Sequence, residues 1–175
     1  MPLRLHSNPS KLGTRVGFRL TVLPQFEASL LIYSGRVSTV DFEGLWKEIE
    51  ESKEYKSEFD DFLFLGPDAD FSDVAFHMSR SEARKLVQRY PSSPEHRMKH
   101  SAFICANEIQ AAMVRLFWAY VLSQGPSNVA IGCFSTFEAA ADWVEGPRRR
   151  LDRALLTDLA AQMGQSWCLA DSAAA

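Results

Sequence analysis

The sequence predicts an α/β fold: a mixed, mostly parallel five-stranded sheet flanked by helices, with one further helix appended at the C-terminus. Three observations carry that expectation. Five short runs are apolar or alternate with period two, four segments between and after them repeat apolar residues at helical spacing, and each such segment follows a capping signal.

Residues 16–23 alternate Val16, Phe18, Leu20 and Val22 with smaller or polar partners, the pattern of a strand covered on one face, and Pro24 ends it. Leu30, Leu31, Ile32 and Tyr33, with Val37, read as a second strand, and the short connection favours an antiparallel hairpin. FLFL at 62–65, AFICA at 102–106 and VAIGCF at 129–134 are continuous apolar runs, expected of strands covered on both faces. Helical spacing relates Phe42, Leu45, Trp46 and Ile49, then Ala83, Leu86, Val87 and Tyr90. It relates also Ile109, Met113, Leu116, Phe117, Tyr120 and Val121, and lastly Phe137, Ala140, Ala141 and Val144. Ser38 with Asp41, Ser79 with Glu82, Asn107 with Gln110 and Ser135 with Glu138 each place a capping oxygen three residues before a side chain that can reach back. Strands separated by single helices imply right-handed crossovers and parallel pairing, with the hairpin as an antiparallel edge.

Gly146-Pro147 breaks the pattern. Residues 1–15 are then an N-terminal arm, 16–146 the α/β domain, and 147–175 a helix and tail. Leu151, Leu155, Leu159 and Met163 share one face of that helix, with Arg148, Arg149 and Arg150 at its unfavourable dipole end. A stripe of this kind asks to be covered, so a homodimer through residues 148–163 is expected, with packing inside the same chain as the alternative.

The 175 residues carry 19 Lys+Arg against 22 Asp+Glu, a formal net charge of -3, which speaks against a nucleic-acid partner. The charge is uneven. Residues 41–73 hold twelve acidic and three basic side chains, whereas residues 80–99 hold six basic and two acidic. Solvated helix faces explain this, or else an acidic docking surface. Three cysteines without a CxxC pair fit a reducing compartment. With no leader-like apolar segment and no run long enough to span a membrane, a cytoplasmic location is expected.

The element order, with LLIYSG followed by RVSTVDFEGLWKEI, then YKSEFDDFLFLGPDADFS, AFICA and its helix, and VAIGCFSTFEAAADWV, resembles the STAS domain family of sporulation anti-sigma-factor antagonists, in particular its broad bacterial SpoIIAA-like, STAS/SEC14-type branch. The resemblance spans residues 16–146 and implies a regulatory domain without chemistry of its own, acting through protein–protein contact. A small-molecule or lipid-binding module of the STAS/SEC14 type is the alternative, and a Cys-dependent enzyme the third reading. In partner-switching members a serine in an Asp-Ser-Ser-Gly turn after the third strand is phosphorylated. The corresponding stretch here, DADFSDVAFHMSRSEARKL, lacks that turn and is longer.

By position, Ser72, Ser79 and Ser81 become the regulatory or docking residues, with Arg80 and Arg84 placed to pair with a phosphate at the helix start. The plain alternative is that Ser79 is only a helix cap. Asp68, Asp70 and Asp73 form an acidic group without the glycine and distal Glu of a calcium loop, which reads as a solvated turn. Cys105, before the Asn107 cap, is a possible nucleophile if His100 or His77 stands beside it, and otherwise a small buried hydrophobe, the reading adopted here. Phe117, Trp118 and Tyr120 read first as core, with lining of a ligand pocket as the alternative and, for Trp118, which lies off the apolar stripe, contact with a partner. No glycine-rich phosphate loop follows any strand, and no cofactor or metal is expected.

Overall fold

The computed structural model describes residues 17–90 and 97–145, so the arm, the segment 147–175 and the dimer helix with Leu151, Leu155, Leu159 and Met163 lie outside the described residues. The chain forms β1 (Gly17–Leu23), a 3-10 turn (Pro24–Phe26), β2 (Ala28–Ser34), α1 (Thr39–Glu51), β3 (Asp60–Leu65), α2 (Ser72–His77), α3 (Arg80–Gln88), β4 (Lys99–Ile104), α4 (Glu108–Leu122), β5 (Val129–Phe134) and α5 (Phe137–Glu145). The sheet order is β1-β2-β3-β4-β5, with β1 antiparallel to β2 and every other pair parallel.

Because each parallel strand is laid down beside the last, right-handed crossovers must all pass over the same face. The core is divided accordingly. Phe42, Leu45, Trp46 and Ile49 of α1, Leu86 and Val87 of α3, and Val114, Phe117, Trp118 and Val121 of α4 cover one face, against Leu31, Tyr33, Leu63, Leu65 and Phe103. Among the described residues α5 is the one helix that covers the other, where Phe137, Ala140, Ala141 and Val144 meet Leu30, Ile32, Phe62, Phe64, Ala102 and Ile104. The alternate residues of FLFL thus serve both cores, as continuous apolar strands should. VAIGCF does not: β5 is an edge strand and all six of its residues are half-buried.

The capping expectations hold at α1 and α3, where Ser38/Asp41 and Ser79/Glu82 form reciprocal boxes. Asn107 accepts from Gln110 N–H at 2.9 Å, but the Gln110 side chain goes elsewhere. Its Nε2 donates to the carbonyls of Gly66 (2.7 Å) and Ala69 (3.0 Å), and its Oε1 accepts from Ala106 N–H (2.8 Å). At α5 the cap is Thr136, whose Oγ1 accepts from Ala139 N–H at 3.2 Å, one residue later than the predicted Ser135/Glu138 pair.

Gln110 also corrects the face of α4. With a polar anchor drawn inward and Ala111 small enough for the helix to approach Cys133 (Sγ to Ala111 carbonyl, 3.9 Å), the buried stripe is Gln110, Ala111, Val114, Phe117, Trp118 and Val121. It is turned by about one residue, roughly 100°, from the predicted one. Ile109 and Leu116 are left 73% and 51% exposed. Trp118, off the predicted stripe, is core and not at a partner, packed edge-on against Tyr90, Phe103 and Phe117.

The long stretch after β3 is not a plain loop, since six of its residues form α2. It starts at Gly66, where a Cβ would lie 3.0 Å from the Tyr33 carbonyl and 2.9 Å from Asp68 Oδ1, so a side chain there would force its neighbours to shift.

The acidic run 41–73 is not all solvated either, for it contributes two buried carboxylates, Asp60 and Asp61. Strand register sets Ser29 beside Asp61 and Asp61 beside Ser101, so a polar row crosses the helix-covered face at one end of the apolar rows. Ser29 Oγ donates to Asp61 Oδ1 at 2.6 Å, and Lys99 Nζ stands 2.7 Å from Asp61 Oδ2 while donating also to Tyr55 Oη. Lys99 is fully buried, its ammonium 4.9 Å from the Tyr55 ring centre and 5.8 Å from that of Tyr90. Two charges this deep are tolerated because each is paired and hydrogen-bonded. Lys99→Met is therefore expected to destabilise by about 3–5 kcal/mol in urea unfolding, since it strands Asp61. Adding Asp61→Asn should recover part of the loss.

Candidate functional site

Ser79 is the N-cap of α3: its Oγ accepts from Glu82 N–H, and Ser79 N–H donates to Glu82 Oε2 at 2.7 Å. These bonds from Ser79 hold the Glu82 carboxyl below the usual carboxylate range. The box then contributes stability that is present above the ordinary carboxylate pKa and lost as pH falls through the lowered one. Ser81 is exposed with its Oγ 3.1 Å from Ser79 Oγ, and Arg84 is exposed one turn on. Arg80 does not reach toward these hydroxyls. Its Nε donates to Gln124 Oε1 at 3.1 Å, tying the start of α3 to the turn after α4. Ser72, the first residue of α2, is half-buried and its N–H is held by Asp70 Oδ1 at 2.9 Å.

The three aspartates of the turn are each engaged locally. Asp68 Oδ2 accepts from Gly35 N–H at 3.1 Å, Asp70 takes Ser72, and Asp73 stands 3.5 Å from Arg36 and 3.4 Å from His77. Bonding to Ser72 holds the Asp70 carboxyl low. No group of three metal-ligating side chains occurs among the described residues.

Among the described residues no histidine pairs with Cys105. His77 turns to Asp73, and His100 to Asp60, while the thiol lies 3.9 Å from the Phe103 carbonyl. Its hydrogen bond to Cys133, and then its burial, push the Cys105 thiol up, whereas the same bond pulls the Cys133 thiol down. A nucleophilic thiolate needs the opposite environment at Cys105. Both thiols are free.

Two concavities share a wall. An open groove between α1 and α3 is lined by Thr39, Glu43, Met78, Glu82, Lys85 and Leu86, with Phe42 and Trp46 at its floor. The Arg89 guanidinium lies 5.1 Å from the Trp46 ring centre and pairs with Glu50 at 3.5 Å. Phe42 and Trp46 also line an interior cavity with Tyr33, Asp61, Ser101 and Trp118, in which the space open to the centre of a water molecule is about 20 Å³. Phe117, Trp118 and Tyr120 do not line it as a set. Phe117 is core against Phe42, Trp118 borders the cavity, and Tyr120 is half-buried on the outer side of α4.

Sequence reasoning missed Asp61, Lys99 and Tyr55. The usable signal was that Asp61 and Lys99 sit at period-two positions with Leu63 and Ser101, on the face that strands bury.

No family model matches the chain, and no curated protein or solved structure is significantly similar to it.

Because Ser79 closes the cap while Ser72 and Ser81 do not, Ser79→Ala is expected to lose about 1 kcal/mol in chemical denaturation. Ser81→Ala should change little. In native-state alkylation mapped by mass spectrometry, Cys133 is expected to react well before Cys105.

Proposed function

We propose that this chain is a non-enzymatic, STAS-like regulatory domain that works by docking another protein. The observation that carries this reading is the second apolar face of α4. Ile109, Met113, Leu116 and Tyr120 recur at i, i+4, i+7 and i+11 on the side away from the sheet, with Ile109 and Leu116 largely exposed. A single exposed leucine has no meaning, but a row of large apolar side chains along one helix marks an interaction surface. Its neighbours fit a docking role. Both α2 and α3 pack on α4, and they bring an exposed Phe76 together with Ser79, Ser81, Arg80 and Arg84. Arg80, bonded to Gln124, links the serine-bearing helix start to the docking helix.

The order of strands and helices supports the STAS-like part of the reading, and α2 accounts for the extra length between the third strand and its helix. Of the serines, Ser81 is the one free to carry a signal, since Ser79 is committed to the cap. The free thiols Cys105 and Cys133 suit a cytoplasmic protein. Among the described residues no helix is long and apolar enough to cross a membrane. The lipid or small-molecule alternative is less favoured, because the interior cavity admits a water and not an acyl chain. Self-association through residues 148–163 remains a separate proposal, outside the described residues.

The test is a charge placed on the stripe. Ile109→Glu with Leu116→Glu should leave the circular dichroism spectrum and melting temperature within a few degrees of the parent and abolish partner capture from host extract. Phe26→Glu, on the far side of the sheet, should not. Capture that survives the double substitution would sink this surface.

A further inference from the structure

The interior cavity holds a chemical contradiction that its protein walls do not resolve. Tyr33 Oη, Trp46 Nε1 and Trp118 Nε1 are shielded from solvent, and none finds an acceptor among the described residues. All three side chains, from β2, α1 and α4, are more than nine-tenths buried and line the same cavity. Unpaired buried donors are rare in folded proteins, and three around one cavity point to a shared acceptor.

We propose that the cavity is a binding site for a single water molecule, which accepts from the Trp46 and Trp118 indole N–H groups and donates in turn to Tyr33 Oη and to the Asp61–Ser101 side. The cavity chemistry selects this ligand over other classes. An apolar atom would leave every donor unsatisfied. An anion would face the Asp61 carboxylate, which lines the cavity and already carries the charge that pairs Lys99. A cation would find the Trp46 and Trp118 indole N–H groups beside it, which donate and offer no lone pair. A neutral molecule that both accepts and donates remains. The space of about 20 Å³ is enough for one water and for little more.

Such a water does more than fill space. Trp46 and Trp118 come from the two helices that flank α2, and Tyr33 from the sheet beneath them, so the water is the polar joint between α1, α4 and β2. Phe42 and Trp46, which also floor the outer groove, form the wall between this joint and solvent.

The experiment is a high-resolution crystal structure of the full chain, combined with magnetisation transfer between water and the indole N–H protons in solution. The expected result is one density peak within hydrogen-bond distance of at least two of the three donors, with cross-peaks from water to the Trp46 and Trp118 indoles. Tyr33→Phe is nearly isosteric, and Tyr33→Phe with Trp118→Phe leaves one donor at the cost of a smaller ring at position 118. In that folded variant the Trp46 cross-peak should disappear, and Tyr33→Phe alone should weaken it where the double variant fails to fold. A dry cavity that takes up xenon, a larger molecule carried in its place, or a Trp46 cross-peak unaffected in the double variant would each overturn the proposal.

Discussion

The handedness of three crossovers governs everything that is distinctive here. A sheet laid down in chain order with right-handed connections sends every connecting helix to the same side, leaving the other side to whatever follows the last strand. Among the described residues that is α5, a helix of nine residues whose apolar face is Phe137, Ala140, Ala141 and Val144. The two sides therefore differ in depth and chemistry. The α5 side is a single layer of Phe, Ala and Ile, whereas the crossover side is thick, aromatic, and deep enough to enclose an ion pair and a cavity.

On that crowded side the polar residues are confined by register to one end of the strands. Ser29, Asp61 and Ser101 stand side by side because their strands are parallel and in step. Apolar rows follow at Leu31, Leu63 and Phe103, and at Tyr33 and Leu65 beyond. The aromatic residues bridge the two regimes. The Tyr55 hydroxyl accepts from Lys99, and Tyr33 and Tyr90 line the cavity while packing in the apolar core. Burial is the main cause that keeps all three phenols protonated, with the Asp61 charge adding to it.

Much of the fold was legible because local signals agreed with one another. The boxes at Ser38 and Ser79 are read within four residues, and the FLFL run needs only its own alternation to announce two cores. What failed was whatever depended on a partner far along the chain. Nothing near Gln110 says that its amide will be claimed by the carbonyls of Gly66 and Ala69. Without that anchor the apolar period favours Ile109 as the inward residue. The same long-range blindness hid Lys99, whose counter-charge is a strand away, and left Trp118 off the predicted stripe. The candidate docking residues at Ser79 and Ser81 were visible by position in the chain. The apolar stripe beside them was visible only as a core pattern, and became an outer face once the helix was turned.

The reciprocal box at the start of α3 sets a limit on how a signal can be written there. Phosphorylation of Ser79 would replace the hydroxyl that accepts from Glu82 N–H and bring a second, doubly negative group against the Glu82 carboxylate, which sits within 2.7 Å of the Ser79 backbone nitrogen. The attraction of a helix N-terminus for phosphate would be set against that local repulsion. A modified Ser79 would thus loosen the first turn of α3 and pull at the Arg80–Gln124 tie, acting as a mechanical release. At Ser81 the same group would leave the cap intact and act as a charge label on a rigid surface. Two hydroxyls 3.1 Å apart would carry opposite messages.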